Sequence, residues 1–189
     1  MMSRFIYSIQ QAFKYRQALI NIKDRGMAIK KLIDINQAWL DEQNVQTLVL
    51  DFDGVMATHG EELPCEEVVQ WLNALSNTMP QKNIYILSNK PTLLRKQYFQ
   101  EHYPEITFVA GVRKKPYPDG MNAVAELSKV SPEYIALVDD RLLTGCLACV
   151  IAGAKPIWVT EPYTNVKKHP VPETFFKVLR WMDRKFVGA

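Results

Sequence analysis

The sequence is short of the features that would tie a chain together by anything other than an ordinary packed core. Three cysteines in 189 residues make no disulfide framework, so a reducing, cytoplasmic compartment is expected. Cys146 and Cys149 form a Cys-x-x-Cys, but no second Cys/His pair follows to complete a zinc site. They read as small apolar residues packed inside a helix. No apolar run reaches the length of a membrane-spanning helix. The N-terminal segment has neither the central apolar block nor the small-residue cleavage site of a secretory signal. Repeats and low-complexity stretches are absent too. What is present is a globular composition, 48% hydrophobic and 23% charged, in a length that suits one well-buried α/β domain and is short for two.

The net charge of +3 conceals an uneven distribution. Residues 1–32 carry seven Lys/Arg and one acid, a charge of +6, and residues 165–189 carry six and two, a charge of +4. The intervening 33–164 carry ten basic and seventeen acidic residues, a charge of −7. An acidic body with basic ends points to acidic partners for those ends. No nucleic-acid reading motif accompanies them, so a nucleic-acid role is not expected.

The organising stretch is Thr47-Leu48-Val49-Leu50-Asp51-Phe52-Asp53-Gly54. Its apolar half predicts a buried parallel strand. Two acids one residue apart follow where that strand should end, with Gly54 to turn the chain. Ligands of open α/β sheets sit beyond the carboxyl ends of the strands. Two carboxylates that close repel unless a cation intervenes or one is protonated. A metal site and an acid/base pair are both consistent with that pattern.

Before this stretch, Phe5, Ile9 and Phe13 recur at four-residue spacing beside Ile6 and Ala12, an amphipathic helix. A second helix is expected over about 27–44. Both could cover a hydrophobic surface of the core, or the basic first helix could lie on an anionic membrane. After Gly54, strands are expected at 83–87, 106–109, 134–138 and 156–159. Between them come helices carrying Val68, Trp71, Leu72 and Leu75, then Leu93, Leu94 and Tyr98, then Met121 and Val124, then small residues from about 144 to 152. A tail helix over 172–186 places Phe175, Phe176, Leu179 and Met182 on one side and Lys177, Arg180, Arg184 and Lys185 among its polar positions. Alternating strands and helices at this spacing predict right-handed βαβ units. The fold expected is α/β: a three-layer Rossmann-like sandwich with a central parallel sheet of about five strands, helices on both faces and no sizeable cap domain. The segmentation expected is an N-terminal helical part over 1–46, a core over 47–164, and a basic amphipathic helix over 165–189 packing on or extending the core.

Strand ends carry Asp51/Asp53, Ser88/Asn89 and Asp139/Asp140, and Lys115 comes from the loop after the strand at 106–109. In parallel strands these ends converge on one edge. Acid, hydroxyl, lysine and acid in that order resemble the haloacid dehalogenase-like (HAD) phosphohydrolase superfamily, over roughly residues 47–159. Asp51-Phe52-Asp53-Gly54-Val55 resembles its first motif, Ser88-Asn89 the second, Lys115-Pro116 the third and Asp139-Asp140 the fourth. The Lys-Pro-x-Pro run and the Thr144-Gly145…Gly153-Ala154-Lys155 stretch are most similar to subfamily IIIA, which includes phosphatidylglycerophosphate phosphatase-like proteins. The sequence departs from that pattern at Val55, where many members have Thr. Its fourth motif reads Asp-Asp-Arg-Leu-Leu-Thr-Gly where subfamily members often have Gly-Asp-Gln-x-x-Thr-Asp, so that Gly145 removes an acid and Arg141 adds a positive charge.

The resemblance implies a Mg2+-dependent phosphatase. The cation would be held by the Asp51 carboxylate, the Asp53 carbonyl and Asp140. Asp51 would attack phosphorus, Asp53 would serve as acid and then base, and Ser88 and Lys115 would hold the transferring oxygens. Substrate contacts are expected from Ser88, Asn89, Lys115 and Arg141, with Asp139 orienting Lys115 or a metal-bound water. His59 is expected to be an exposed loop residue. The intervals between Asp51, Ser88 and Lys115 have no room for a folded cap, so an open site is expected, suited to a phosphate presented on something large. A phosphoprotein is favoured slightly as substrate, with a phospholipid headgroup as the alternative. Contact of the basic ends with an anionic membrane is an expectation as well. A reading of another class is a membrane- or protein-binding module on a vestigial phosphatase fold.

Overall fold

The computed structural model describes residues 3–188. Its centre is a six-stranded sheet in the order β1-β6-β5-β2-β3-β4, with every pairing parallel. The strands are β1 Ala28–Ile29, β2 Thr47–Leu50, β3 Ile84–Leu87, β4 Thr107–Val109, β5 Ile135–Asp139 and β6 Lys155–Val159. All four residues of β2, all four of β3 and all five of β5 are buried. This is why they read as continuous apolar runs: helices cover both faces of a parallel sheet.

The chain runs outward from β2 through β3 to β4, then crosses back to β5 and β6 on the other side. That reversal creates a crevice beyond the carboxyl ends of β2 and β5. It is where a doubly wound sheet places its ligand. The helices α4 Glu66–Ser76 and α5 Leu93–His102 fill the intervals after β2 and β3. Neither interval holds an inserted domain.

The sixth strand was not expected. The 27–44 segment, predicted as one helix, contains the edge strand β1, a 3₁₀ turn at Leu32–Asp34 and the short helix α3 Gln37–Glu42. Met27, Leu32, Ile35 and Leu40 are all buried, at intervals that no single helix face would bring together. Two local features decide it. Gly26 closes the preceding helix at φ +69, a conformation that costs glycine little. Asn36 then caps α3 by accepting from the Trp39 amide. The intervening backbone bonds to β6 instead, with Trp158 N donating to Met27 O and Thr160 N to Ile29 O.

Three helices present apolar residues outward. On α1 Arg4–Lys14, Phe5, Ile6, Ile9 and Phe13 are exposed and Ala12 is buried. On α5, Leu93 and Leu94 are exposed while Arg95 and Phe99 are buried. On α8 Pro170–Val187, the buried residues are Glu173, Arg180, Asp183 and Val187, while Phe175, Val178, Trp181 and Met182 face outward. In α5 and α8 the charged residues turned inward have specific work beside the strand ends. The remaining helices, α2 Arg16–Asp24, α6 Asp119–Ser128 and α7 Leu147–Ile151, pack conventionally. Cys146 and Cys149 are buried among their neighbours.

Candidate active site

The carboxyl ends of β2 and β5 bring Asp51, Asp139 and Asp140 together, each with a carboxylate oxygen within 4.8 Å of the others'. Lys115 reaches in from the 110–118 loop and bridges two of them. Its Nζ lies 2.7 Å from Asp51 Oδ1 and 2.5 Å from Asp139 Oδ2. Asp139 is thus the anchor of Lys115, and its other oxygen accepts from the Arg141 amide at 2.9 Å. Asn89 fixes the same lysine from the other side, accepting from the Lys115 amide at 2.8 Å. Ser88, at the end of β3, is buried and accepts from the Lys90 amide at 3.1 Å. The α5 cap is supplied by Thr92 instead, whose hydroxyl accepts from the Arg95 amide.

The electrostatics reflect three buried acids facing too few cations. Burial, together with the Asp139 and Asp140 charges, pushes the Asp51 carboxyl up to about 8 against the opposing pull of Lys115. Burial also raises Asp140, to about 6, with Arg180 resisting. Burial alone would lower the Lys115 ammonium, but Asp139 and Asp51 override it and hold that group above the usual lysine range. Hard oxygen donors converging with surplus negative charge are the setting in which a divalent cation such as magnesium binds. The residues present fit such an ion.

Asp53 sits apart from this cluster in the grip of Arg95. The guanidinium donates from Nη2 to Asp53 Oδ1 at 2.7 Å and from Nη1 to Oδ2 at 3.0 Å. It also donates to Glu61 O at 2.6 Å and lies over the Phe52 ring at 3.9 Å. Burial would raise the Asp53 carboxyl, but the hydrogen bonds and charge of Arg95 hold it below the ordinary range.

A third layer comes from α8. Arg180 Nε lies 2.5 Å from Asp140 Oδ2. Asp183 holds Arg141, with Nε–Oδ2 at 2.7 Å and Nη2–Oδ1 at 3.3 Å. Arg141, expected to meet substrate, therefore has its guanidinium engaged by α8. Asp140 pairs with Arg180 and not with its neighbour. His59 corrects another expectation: it is buried, its ring stacks on Phe176 at 3.8 Å, and its amide donates to Glu173 Oε1. Burial and then the Arg180 charge pull the His59 imidazole down to about 4. It sits inside because α8 folds back over the 58–63 loop, a contact between segments more than a hundred residues apart.

Two glycines are needed for close approach. A Cβ on Gly145 would fall 1.8 Å from Asp139 Oδ2, so an aspartate there is incompatible with this placement of Asp139. Gly54 combines φ +85 with an Asp140 oxygen 2.6 Å from where its Cβ would be.

Sequence reasoning did not find Arg95, Arg180, Glu173 and Asp183. One available signal was that each interrupts, at helical spacing, a face otherwise expected to be apolar or free. For Arg95 a second was its place three residues after the Thr92 cap.

A doubly wound sheet with a nucleophile-ready carboxylate, a lysine clamp and further acids at its strand ends defines a phosphoryl-transfer enzyme of the HAD type. The sequence model of the mitochondrial PGP phosphatase family matches residues 8–164, and the chain belongs to that family of HAD-type phosphatases. No curated protein matches it significantly. Among solved structures, an uncharacterized protein from Corynebacterium glutamicum aligns at 20% identity and a TM-score of 0.48, covering 76% of this chain and 96% of that one. A HAD-family enzyme from Bacteroides thetaiotaomicron, solved with magnesium and inorganic phosphate, aligns at 12% identity and a TM-score of 0.37, covering 60% and 93%.

Proposed function

We propose that the chain is a magnesium-dependent phosphomonoesterase acting on a lipid phosphate, phosphatidylglycerophosphate in the first place. The observation that carries the chemistry is the Asp51–Lys115–Asp139 arrangement beside Asp140. The lipid assignment is supported by the family match, which outweighs the slight preference for a phosphoprotein drawn from the expected open site. It is also supported by the exposed apolar residues of α1 and α8 beside basic ones, a pattern that suits an anionic lipid surface. Among the described residues no helix is long and apolar enough to cross a membrane, so contact would be from one side.

Magnesium, held by Asp51 and Asp140 with the Asp53 carbonyl, would neutralise phosphate charge and favour the ionised form of Asp51. The Asp51 carboxylate attacks phosphorus, forming an aspartyl-phosphate as the bond to the glycerol oxygen breaks. Lys115, already fixed by Asp139, donates to the transferring oxygens, and the Ser88 hydroxyl does the same from the β3 side. Asp53 protonates the departing glycerol oxygen, then takes a proton from the water that splits the aspartyl-phosphate. Arg95 fixes Asp53 in the ionised state suited to that second step. For the first step Asp53 must carry a proton, which it takes from the entering phosphomonoester monoanion as the Arg95 fork loosens.

The test is phosphate release, with magnesium and after chelation, from vesicles containing phosphatidylglycerophosphate, from phosphotyrosyl and phosphoseryl peptides, and from sugar phosphates. The expected order puts the lipid first, with activity lost on chelation. A higher kcat/KM on either peptide would replace the lipid assignment. Retention of activity by Asp51→Asn would remove the nucleophile.

A further inference from the structure

On the outer side of Arg180, between α8 and the 162–166 loop, lies a groove of about 360 Å3. Lys177, Arg180 and Arg184 line it at helical spacing, with Glu173 at one end and Trp181 and Val166 along it. Arg180 thus borders both the groove and the acid cluster, where its Nε holds Asp140. Lys177 has no carboxylate partner among the described residues. Arg184 spends Nη2 on Thr160 O at 2.6 Å, while its buried Nε has no acceptor. Glu173, almost wholly buried, uses Oε1 for the His59 and Asn165 amides and turns Oε2 toward His59 Nδ1 at 3.6 Å.

An unused buried donor is costly unless a ligand meets it. The unused donor belongs to a cation, so a ligand satisfying it carries an anionic oxygen. Counting Arg180 against Asp140 and Glu173 against one remaining cation, the groove keeps a single positive charge. That charge matches the one negative charge of a phosphodiester better than a phosphomonoester dianion. Trp181, 59% exposed, and Val166 add apolar surface at the mouth.

We propose that this groove is a second subsite, which binds the phosphodiester and glycerol of a glycerophospholipid while its terminal phosphomonoester lies at Asp51. Lys177 and Arg184 hold the diester oxygens, the glycerol lies between them and Asp51, and the acyl chains leave along the outward face of α8. The subsite rests on the lipid-phosphatase reading and explains how a site without an inserted cap can select a lipid.

The probe is water-soluble dioctanoyl phosphatidylglycerol, which has the diester and glycerol and lacks a monoester. It is titrated into the full chain below its micellar concentration, with tryptophan fluorescence as the readout. Saturable binding is expected, weakened at least tenfold in Lys177→Glu, whose exposed position spares the fold, and in Arg184→Gln. Glycerophosphoglycerol, the same head without acyl chains, is expected to bind more weakly than the lipid. Absence of saturable binding, or equal binding by Lys177→Glu and the unaltered chain, overturns the subsite. Equal affinity for glycerophosphoglycerol and the lipid overturns its lipid character. Hydrolysis of an aryl phosphate is measured in parallel: hydrolysis without lipid binding removes the groove and keeps the enzyme, and binding without hydrolysis does the reverse.

Discussion

At the scale of single residues, the site is held by a few contacts that tolerate no substitute. Asp51→Asn keeps the volume and removes the carboxylate proposed to attack phosphorus, so phosphate release should fall by about three orders of magnitude, measured on an aryl phosphate. The melting temperature of the metal-free protein should stay level at pH 7, where the Asp51 carboxyl still holds its proton, and rise above pH 8, where the substitution removes one of three crowded buried charges. Gly145→Ala should be harmful although it adds only a methyl group. The new Cβ would displace the Asp139 oxygen that anchors Lys115, costing about 1–3 kcal/mol in overpacking and about 100-fold in kcat/KM through misplacement of the lysine. Urea denaturation and steady-state kinetics read the two effects separately. Asp51, Lys115 and Asp139 were visible in the sequence because each directly follows or ends a recognisable strand, or sits in a motif. Arg95 and Arg180 were not, since an arginine in an amphipathic helix reads as solvated until the partner carboxylate is placed.

At the scale of elements, α8 holds together segments that are distant along the chain. Its inward face carries Glu173 to the 58–63 loop, Arg180 to Asp140 and Asp183 to Arg141. Asp183→Asn removes one partner of a nearly buried pair and should destabilise by about 3 kcal/mol in equilibrium urea denaturation. Met182→Gln, one residue away on the outward face, should change stability by no more than about 0.5 kcal/mol. The apolar pattern alone predicts the reverse ranking, so the pair of variants tests directly which face of α8 is inside. Helical periodicity revealed that α1, α5 and α8 exist, and nearly where they end. It did not place their inner faces, because periodicity finds the apolar stripe and cannot tell a core from an outward-facing surface. The 27–44 segment failed differently. Its buried residues follow no single helix face, and β6 offers an edge that captures the Ala28–Ile29 backbone.

At the scale of the whole molecule, the acid cluster ties stability to pH and to cation binding. In metal-free protein the folded state keeps protons on Asp51 up to about 8 and on Asp140 up to about 6, while the unfolded chain releases them near 3.8. The native state then binds more protons than the unfolded one, so stability is fully present below the unfolded value and is lost as pH rises through the folded ones. His59 acts oppositely. Held neutral down to about 4 against an ordinary 6.5, it removes stability as pH falls from 6.5 toward 4. Asp51 therefore dominates between pH 6.5 and 8, and the chelated protein should melt at a lower temperature at pH 8 than at pH 6.5. Millimolar magnesium should restore most of that loss at pH 8 by binding the native state alone. A flat chelated profile over this window, read by scanning calorimetry, would contradict the cluster's charge balance.

The sequence by itself determined the parallel α/β architecture, the strand ends at which Asp51, Ser88 and Asp139 stand, and the type of chemistry. Those are properties of neighbouring residues, written in short apolar runs and the polar residues that end them. Only the tertiary structure decided which cations face which acids, that His59 is enclosed, and that α8 turns its charges inward and its aromatic residues out. Such choices depend on pairs far apart along the chain. A buried charge is tolerated where its partner is, and no local pattern records where that partner will be.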